Sequence, residues 1–204
     1  MDDKKKSRNY FNRHSFTWVN RDGYWRHDYR ATVRALKHYR SASCLDVGCG
    51  NGAFLAFLKE ACPYIRPAGL DYSSSMVKKS RERLPDAEIR EGDAECMPLK
   101  DHSYDAVTCH MSIHHYPHPE KALAEMYRIL KPGGAVLIND LTGPDWLIRW
   151  MNRSFKTWNT GDHAIYSCAE MERMLKRAGF RNVRSELLTP FTYLAQGVKP
   201  YGDS

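Results

Sequence analysis

Cys44-Leu45-Asp46-Val47-Gly48-Cys49-Gly50-Asn51-Gly52 is the stretch of this 204-residue chain that decides its fold. A short apolar run ends in an aspartate, three glycines follow at every second position, and apolar residues then recur at helical spacing from Phe54 to Leu58. This pattern predicts a buried strand, a tight turn and the start of a helix. Glycine lets the backbone approach a ligand closely, and the first helical turn offers unpaired N–H groups. We therefore expect this turn to bind the adenosine part of a cofactor.

Strand-like and helix-like runs alternate after residue 40. The strand-like runs are 44–47, 67–70, 87–90, 104–109 and 135–140, and the helix-like runs between them are 53–61, 74–84 and 120–130. This alternation predicts a doubly wound, Rossmann-like α/β sheet with helices on both faces. The last two runs, 180–188 and 191–195, are separated by two residues, which is too short for a crossover helix. They are expected to pair antiparallel, as a hairpin that completes a seven-stranded, mostly parallel sheet.

Charge and composition divide the chain into two parts. The net charge is +7, and residues 1–40 carry 11 basic and 4 acidic residues, which accounts for the whole excess. We therefore expect a basic, aromatic arm at 1–40 and one domain at 41–204. No apolar run approaches the roughly 20 residues of a membrane span, and no apolar segment follows the basic N-terminus. Six cysteines without a Cys-x-x-Cys pair are typical of a reducing, cytoplasmic protein.

Two adenosine cofactors compete for the glycine turn. Its G-x-G-x-x-A pattern from Gly48 to Ala53 also fits a dinucleotide site, and Asp71 lies at a suitable distance for a ribose contact. Asp46, two residues before the first glycine, would repel the pyrophosphate of NAD and attract the ammonium group of S-adenosylmethionine. Asp93, after the third strand, can accept a hydrogen bond from an adenine amine. Each acid by itself is also a common turn residue, but three at successive strand ends favour S-adenosylmethionine.

Five motifs then carry a resemblance to a known family. They are 46–52 (DVGCGNG), 69–73 (GLDYS), 92–99 (GDAECMPL), 104–107 (YDAV) and 128–134 (RILKPGG). In this order and spacing the chain resembles the class I S-adenosylmethionine-dependent methyltransferases, in the small-molecule branch (methyltransferase type 11) that includes the ubiquinone/menaquinone-type enzymes. The resemblance covers about residues 41–188. It implies methyl transfer to a small molecule by in-line displacement, with S-adenosylhomocysteine as the product, on a sheet that ends in an antiparallel hairpin.

The resemblance also implies which residues hold the cofactor. The predicted positions are Asp46, Gly48, Cys49, Gly50, Gly52, Asp71, Tyr72, Met76, Asp93, Ala94, His110 and Met111, joined by Tyr10 and Phe11 from the arm. Asp71 is expected to hold the two ribose hydroxyls, and Tyr72 to cover the adenine or ribose. In such enzymes a segment before the first motif often folds over the cofactor, so we expect the arm to be a lid, with a helix around 24–39 near the site.

Four histidines lie in the loop 110–118 after the fourth strand. No metal is expected there, because no acid or cysteine completes a recognised spacing and Pro117 and Pro119 interrupt any single helix. His114 or His115 is the predicted catalytic base, since histidine titrates near neutral pH. A base is optional, because the sulfonium is already activated, and the alternative is one structural histidine and one exposed histidine.

A tryptophan-rich segment follows the fifth strand, and the insertion 145–166 is predicted to cover the substrate. The positions predicted to line the substrate pocket are Tyr116, Trp146, Trp150, His163 and Tyr166. Aromatic residues recur at helical spacing over 145–158, which is equally consistent with an ordinary core-facing stripe.

The favoured function is therefore a cytoplasmic small-molecule methyltransferase, a monomer or homodimer without a membrane span or a nucleic-acid partner. An RNA or protein methyltransferase that uses the basic arm is the first alternative. The nucleic-acid version is weakened because no Asn/Asp-Pro-Pro-Tyr signature follows the fourth strand. A non-catalytic regulator that binds S-adenosylmethionine is the second alternative.

Overall fold

A computed structural model describes residues 3–18, 26–39, 41–155, 157–158 and 161–201. The strands are β1 (Ser43–Val47), β2 (Arg66–Asp71), β3 (Glu88–Glu91), β4 (Tyr104–His110), β5 (Leu130–Leu141), β6 (Arg181–Thr189) and β7 (Thr192–Val198). The helices are α1 (Asp3–Trp18), α2 (Arg26–His38), α3 (Ala53–Ala61), α4 (Ser74–Arg83), α5 (Pro119–Ile129), α6 (Asp145–Ser154) and α7 (Cys168–Arg177). A 3-10 helix, Ile113–His115, follows β4 and is called the histidine turn below.

The seven strands form one sheet in the order β3-β2-β1-β4-β5-β7-β6. Strands β1 to β5 pair in parallel, whereas β7 pairs antiparallel with both β5 and β6. The predicted sheet and terminal hairpin are thus confirmed. The strand order reverses between β1 and β4, so the chain leaves these neighbouring strands in opposite directions and opens a crevice at their carboxyl ends.

Apolar side chains are packed on both faces of the sheet. On one face α2 buries Val33 and Leu36 in the same cluster as Leu55 and Leu58 of α3. On the other face α5 and α7 are packed around residues that include the fully buried Phe180. Helix α2, which the sequence grouped with the arm, therefore contributes to the core. Residues 24 and 25, at the start of the helix predicted around 24–39, lie outside the described residues.

Helix α1 lies across the carboxyl edge of the sheet and is held there by polar contacts. The side-chain carbonyl of Asn12 accepts hydrogen bonds from the hydroxyls of Ser73 (2.7 Å) and Ser75 (2.9 Å) at the start of α4. A Cβ built on Gly161 would lie 2.6 Å from the Cα of Ser7, so the chain after α6 passes directly against α1. Among the described helices, none is long and apolar enough to cross a bilayer.

We predict that Phe180→Ala lowers the free energy of unfolding by about 3–5 kcal/mol, because it leaves a cavity in a close-packed core. Urea unfolding followed by circular dichroism measures this. Tyr64→Ala is the matched control, since Tyr64 is exposed, and its effect should stay within about 0.5 kcal/mol. Equal effects of the two substitutions would contradict the packing described here.

Candidate cofactor and acceptor site

Two adjoining cavities occupy the crevice between β1 and β4. The small cavity, of about 70 Å³, lies between α1 and the ends of β2 and β3. The large cavity, of about 450 Å³, lies between the glycine turn, the end of β4 and the histidine turn. Five lining residues are common to both: Phe11, Gly48, Asp71, Ser112 and His115. The arrangement can hold one elongated ligand across both cavities, with further room in the large one.

The glycine turn forms the wall between the cavities. Gly48 has a φ of 75°, and a Cβ on it would lie 1.9 Å from Oγ of Ser112, so only glycine fits there. Its N–H donates to the carbonyl of Leu70 (2.7 Å), which ties the turn to β2. Gly50 also has a positive φ, and a Cβ on it would meet nothing within 4 Å. The backbone at Gly50 therefore faces open space that a ligand can fill.

Asp46 is a buried carboxylate at the end of β1 that lines the large cavity. The hydroxyl of Thr108 donates to its Oδ1 at 2.8 Å. Burial raises the pKa of Asp46 to about 8, the Thr108 hydrogen bond opposes this rise, and the charge of Asp71 adds to it. A cationic ligand group beside Asp46 would stabilise its ionised form, whereas a phosphate would be repelled.

Asp71, at the end of β2, lines both cavities. Its two oxygens accept hydrogen bonds from the backbone N–H groups of Gly50 and Ser73, each at 2.8 Å. Burial raises the pKa of Asp71 to about 6, although these backbone donors favour the ionised form. Each oxygen keeps a further lone pair, so the carboxylate can accept two hydroxyl groups of a ligand.

Asp93, in the small cavity, is contacted by α1. The ammonium group of Lys4 lies 2.7 Å from Asp93 and 2.6 Å from Glu95. Burial by itself lowers the pKa of Lys4, but hydrogen bonds to the two carboxylates outweigh it and raise the pKa. The guanidinium of Arg8 lies 5.3 Å from the ring centre of Tyr72. These basic side chains of the arm thus line the small cavity, and the role of the arm as a lid stays a prediction.

His114 is clamped between β5 and the chain that follows α6. Its Nδ1 lies 2.5 Å from Oδ1 of Asp140, and its carbonyl accepts hydrogen bonds from the N–H groups of His163 (2.7 Å) and Ala164 (3.1 Å). Burial by itself lowers the pKa of His114, but the charge and hydrogen bond of Asp140, with the charge of Asp162, raise it above the usual value. Because Nδ1 faces a carboxylate, it carries a proton and Nε2 is the nitrogen left to exchange one.

His115 lies beside His114, with ring centres 4.0 Å apart, and shares Asp162 with it. Together His114, His115 and Asp162 have the donor types of a metal site. However, Nδ1 of His115 contacts two acceptors, the carbonyl of Gly161 (3.2 Å) and Oδ1 of Asp162 (3.1 Å). Because both contacts are hydrogen-bond acceptors, they favour the tautomer with the proton on Nδ1, which leaves the lone pair on Nε2. The expected absence of a metal stays a prediction.

A third histidine, His110, is held neutral by burial and oriented by a buried hydrogen-bond relay. The amide nitrogen of Asn139 donates to the carbonyl of Tyr193 (2.8 Å), so its oxygen accepts the Nδ1–H of His110 (3.1 Å). Burial lowers the pKa of His110 to about 3. The ring stacks on Phe54 at 3.9 Å and lines the large cavity. His110 is thus a hydrogen-bonding wall residue and not a base at neutral pH.

The structure brings most predicted site residues to the two cavities. The large cavity is lined by Tyr10, Phe11, Asp46, Gly48, Cys49, Gly50, Asp71, Met76, His110, Met111, His114 and His115. The small cavity is lined by Tyr72, Asp93, Ala94 and Tyr116, together with the shared residues. Tyr116 was expected on the substrate side, but its hydroxyl donates to the carbonyl of Val47 (3.2 Å) and supports the glycine turn. Gly52 lines neither cavity and instead begins α3 with a φ of 77°.

Four other predicted pocket residues line neither cavity. The side chains of Trp146 and Trp150 are exposed, because α6 turns Ile148 and not its tryptophans inward. His163 contributes its backbone N–H to the histidine turn, as described above. Tyr166 packs against the core. The insertion therefore reaches the large cavity through Asp162 and not through the residues that were predicted.

Sequence reasoning missed three charged residues of the site: Lys4, Asp140 and Asp162. Asp140 ends β5 as Asp46 ends β1, so the rule that ligand groups follow parallel strands could have identified it. Lys4 and Asp162 lie in segments without a recognisable motif. Their roles depend on contacts with residues far away in the chain.

Comparison with known proteins gives the following similarities. Residues 45–138 match the family model described as a methyltransferase domain. The chain is 35% identical over 120 residues to demethylmenaquinone methyltransferase of Renibacterium salmoninarum, covering 59% of this chain and 48% of that protein. It is 35% identical over 108 residues to phthiotriol/phenolphthiotriol dimycocerosates methyltransferase 1 of Mycobacterium ulcerans, covering 52% and 40%. The matches thus span half or less of these relatives.

A solved structure resembles the chain over nearly its whole length. An S-adenosylmethionine-dependent methyltransferase from Thermotoga maritima superposes with a TM-score of 0.73, covering 94% of this chain and 99% of that one. The sequence identity is 24%, so this likeness shows the fold, which agrees with the sheet order described above.

We predict that Asp140→Asn lowers the free energy of unfolding by about 3 kcal/mol or more at pH 6, because it leaves the buried His114 without its counter-charge. The pKa of His114 is higher in the folded than in the unfolded state, where it is about 6.5. The ion pair therefore stabilises the fold fully below pH 6.5, and this stabilisation is lost as pH rises through the folded-state pKa. The penalty should therefore shrink as pH rises through this raised pKa of His114. Urea unfolding at several pH values measures it.

Asp86→Asn is the control for this prediction, since the ion pair of Asp86 with Lys59 is exposed. Its effect should be below about 1 kcal/mol at every pH. A penalty for Asp140→Asn that does not change with pH would contradict a charged His114–Asp140 pair.

Proposed function

We propose that this chain, whose residues 45–138 form a class I S-adenosylmethionine-dependent methyltransferase domain, transfers the methyl group of S-adenosylmethionine to a small molecule held in the large cavity. The domain match agrees with the family predicted from the five motifs, and S-adenosylmethionine is the cofactor that this family implies. The acceptor and the roles of individual residues are the proposed part.

The two buried carboxylates beside the glycine turn support this function most directly. Asp46, whose pKa burial raises to about 8, would hold the ammonium group of the cofactor, because a cation beside it restores the ionised form. Asp71, with two backbone donors already in place, would hold the ribose hydroxyls. A dinucleotide would bring its pyrophosphate towards Asp46, which is unfavourable.

The small cavity suits the adenine. Tyr72 offers an aromatic face there and Asp93 an acceptor for the adenine amine. Lys4 contacts Asp93, so cofactor entry would require α1 to shift or to share this carboxylate. The inward-facing Lys4 and Arg8 favour a lid over an RNA-binding arm.

The large cavity provides the features needed for the acceptor. Its walls combine aromatic rings, including Tyr29 and Phe54, with the polar edges of His110 and His114. When bound, the cofactor supplies an activated methyl group, so the protein has to align the acceptor and remove its proton. Nε2 of His114 accepts the proton that a hydroxyl or amine loses on methylation, and Asp140 stabilises the resulting imidazolium.

A small-molecule acceptor is also supported by the relatives. The two curated proteins described above are named as methyltransferases of demethylmenaquinone and of phthiotriol-type compounds. We accordingly favour a compact, largely apolar acceptor with an ionisable hydroxyl or amine over RNA or protein. A cytoplasmic location and a monomeric or homodimeric state stay predictions.

We predict that S-adenosylmethionine binds and NAD does not, and that Asp46→Asn weakens cofactor binding at least about tenfold by removing a charge-assisted contact. Wild-type affinity should rise between pH 6 and pH 7.5 because Asp46 and Asp71, with pKa values raised to about 8 and about 6, must ionise to hold the ligand. Asp46→Asn should lose most of this rise. Calorimetry in buffers of different ionisation enthalpy measures affinity and proton release together.

Asp86→Asn, which keeps the site intact, serves as the control and should bind as the wild type does. Tight NAD binding without binding of S-adenosylmethionine would refute the proposed cofactor. Binding that is equally tight in Asp46→Asn at every pH would refute the role of Asp46 alone.

We further predict that His114→Gln reduces kcat by about 10²–10⁴ while cofactor affinity changes less than about threefold, because the base acts only in the chemical step. In the wild type, kcat should rise with pH through the raised pKa of His114. Transfer of labelled methyl groups to a panel of small phenols and amines measures this. Full activity of His114→Gln on an acceptor that the wild type methylates would show that no base is used.

A further inference from the structure

Two tryptophans and two arginines share the outer face of α6. Trp146 is 66% exposed and Trp150 is 55% exposed, which is unusual for the largest apolar side chain. Arg149 and Arg153 are also exposed. At 3.6 residues per turn these four positions fall within an arc of about 100°, so the indoles and guanidinium groups alternate on one surface.

The opposite face of α6 holds the helix firmly in place. Ile148 and Phe155 are buried in a small cluster with Ile165. The side-chain amide of Asn152 donates to the carbonyl of Ile165 (2.9 Å) and accepts from the N–H of Ile165 (2.7 Å). These are the two backbone hydrogen bonds that a neighbouring strand would make. The tryptophans therefore point outward because the helix is anchored through its other side, and not because the helix is loosely packed.

The aromatic surface continues beyond α6. Trp158, 45% exposed, contacts Trp150 edge to face with ring centres 5.9 Å apart. Gly143 lies between the start of α6 and the turn that connects β6 to β7. A Cβ on Gly143 would lie 3.3 Å from Leu147 and 3.9 Å from the exposed ring of Phe191. We call the surface formed by Trp146, Arg149, Trp150, Arg153, Trp158 and Phe191 the Trp–Arg surface.

Its charge is not neutralised by the part of the chain that the structure describes. Neither Arg149 nor Arg153 forms an ion pair with a described carboxylate. We propose that the Trp–Arg surface docks the protein onto an anionic lipid bilayer, with the indoles at the level of the headgroups and the guanidinium groups on lipid phosphates.

A bilayer fits this surface better than a protein partner does. Two arginines without a described carboxylate partner lie among the exposed rings, and each arginine near an anionic leaflet adds about 1 kcal/mol. Shallow insertion buries the few hundred Å² of exposed ring surface without the shape-matched partner face that a protein interface needs. An RNA partner would need a basic groove that follows several phosphates of its backbone, whereas the Trp–Arg surface contains two arginines.

Docking in this way would bring the large cavity close to the lipid. Leu141, just before α6, and Asp162, just after it, both line that cavity. The same insertion thus has the proposed bilayer on its outer side and the proposed acceptor on its inner side. If the proposed function holds, this arrangement favours lipid-soluble acceptors taken from the bilayer. Docking itself does not depend on catalysis and can be measured without cofactor.

The test is co-sedimentation with vesicles of phosphatidylcholine alone and of phosphatidylcholine mixed with phosphatidylglycerol. We expect partitioning at least about tenfold stronger onto the anionic vesicles, with a blue shift of tryptophan emission. The double variant Trp146→Ala/Trp150→Ala should lose at least about tenfold of this partitioning. Arg149→Gln/Arg153→Gln should lose mainly the preference for anionic vesicles.

Tyr64→Ala is the control, because it removes an equally exposed aromatic ring at the turn between α3 and β2. It should partition as the wild type does, and thermal unfolding checks that every variant is folded. Undiminished vesicle binding by the folded double tryptophan variant would overturn the proposal, as would a lack of binding by the wild type. Self-association that the tryptophan substitutions abolish, without vesicle binding, would assign the surface to a second copy of the chain.

Discussion

The reversal of strand order between β1 and β4 is the constraint on which the rest of the structure depends. Because the chain turns one way after β1 and the other way after β4, the two carboxyl ends are left uncovered and a crevice opens between them. Gly48 allows the first turn to pass within van der Waals reach of Ser112 in the second. The two cavities, their shared wall and the positions of the carboxylates all follow from this geometry.

Buried carboxylates at these strand ends are stabilised in two different ways. Asp140 is paired within the protein, since His114 supplies the positive charge and lowers the pKa of Asp140 despite its burial. Among the described residues, the carboxylate of Asp46 accepts a hydrogen bond from the hydroxyl of Thr108, and burial raises its pKa. One site is thus internally compensated and suited to exchange a proton, while the other is suited to receive a cation.

The insertion after β5 shows how one segment can have two roles. On its inner side, the backbone N–H of His163 donates to the histidine turn, and the carboxylate of Asp162 faces the ring of His114. Its outer side presents the Trp–Arg surface to solvent. The anchoring contacts of Ile148 and Asn152 separate these two sides, because they fix the rotation of α6 about its axis.

The sequence by itself determined the sheet, its hairpin and the glycine turn with its neighbouring acids, because these depend on local patterns: apolar runs of strand length, glycines where φ is positive, and an acid at or just after the end of β1, β2 and β3. It placed Asp46, Asp71 and Asp93 correctly at one edge, since parallel strands end together. Only the tertiary structure decided that His114 pairs with Asp140, that Lys4 reaches Asp93 and that Trp146 and Trp150 point outward. Periodicity identifies an amphipathic helix but not the side that meets the core, and a contact between residues 26 or 89 positions apart leaves no local pattern in the chain.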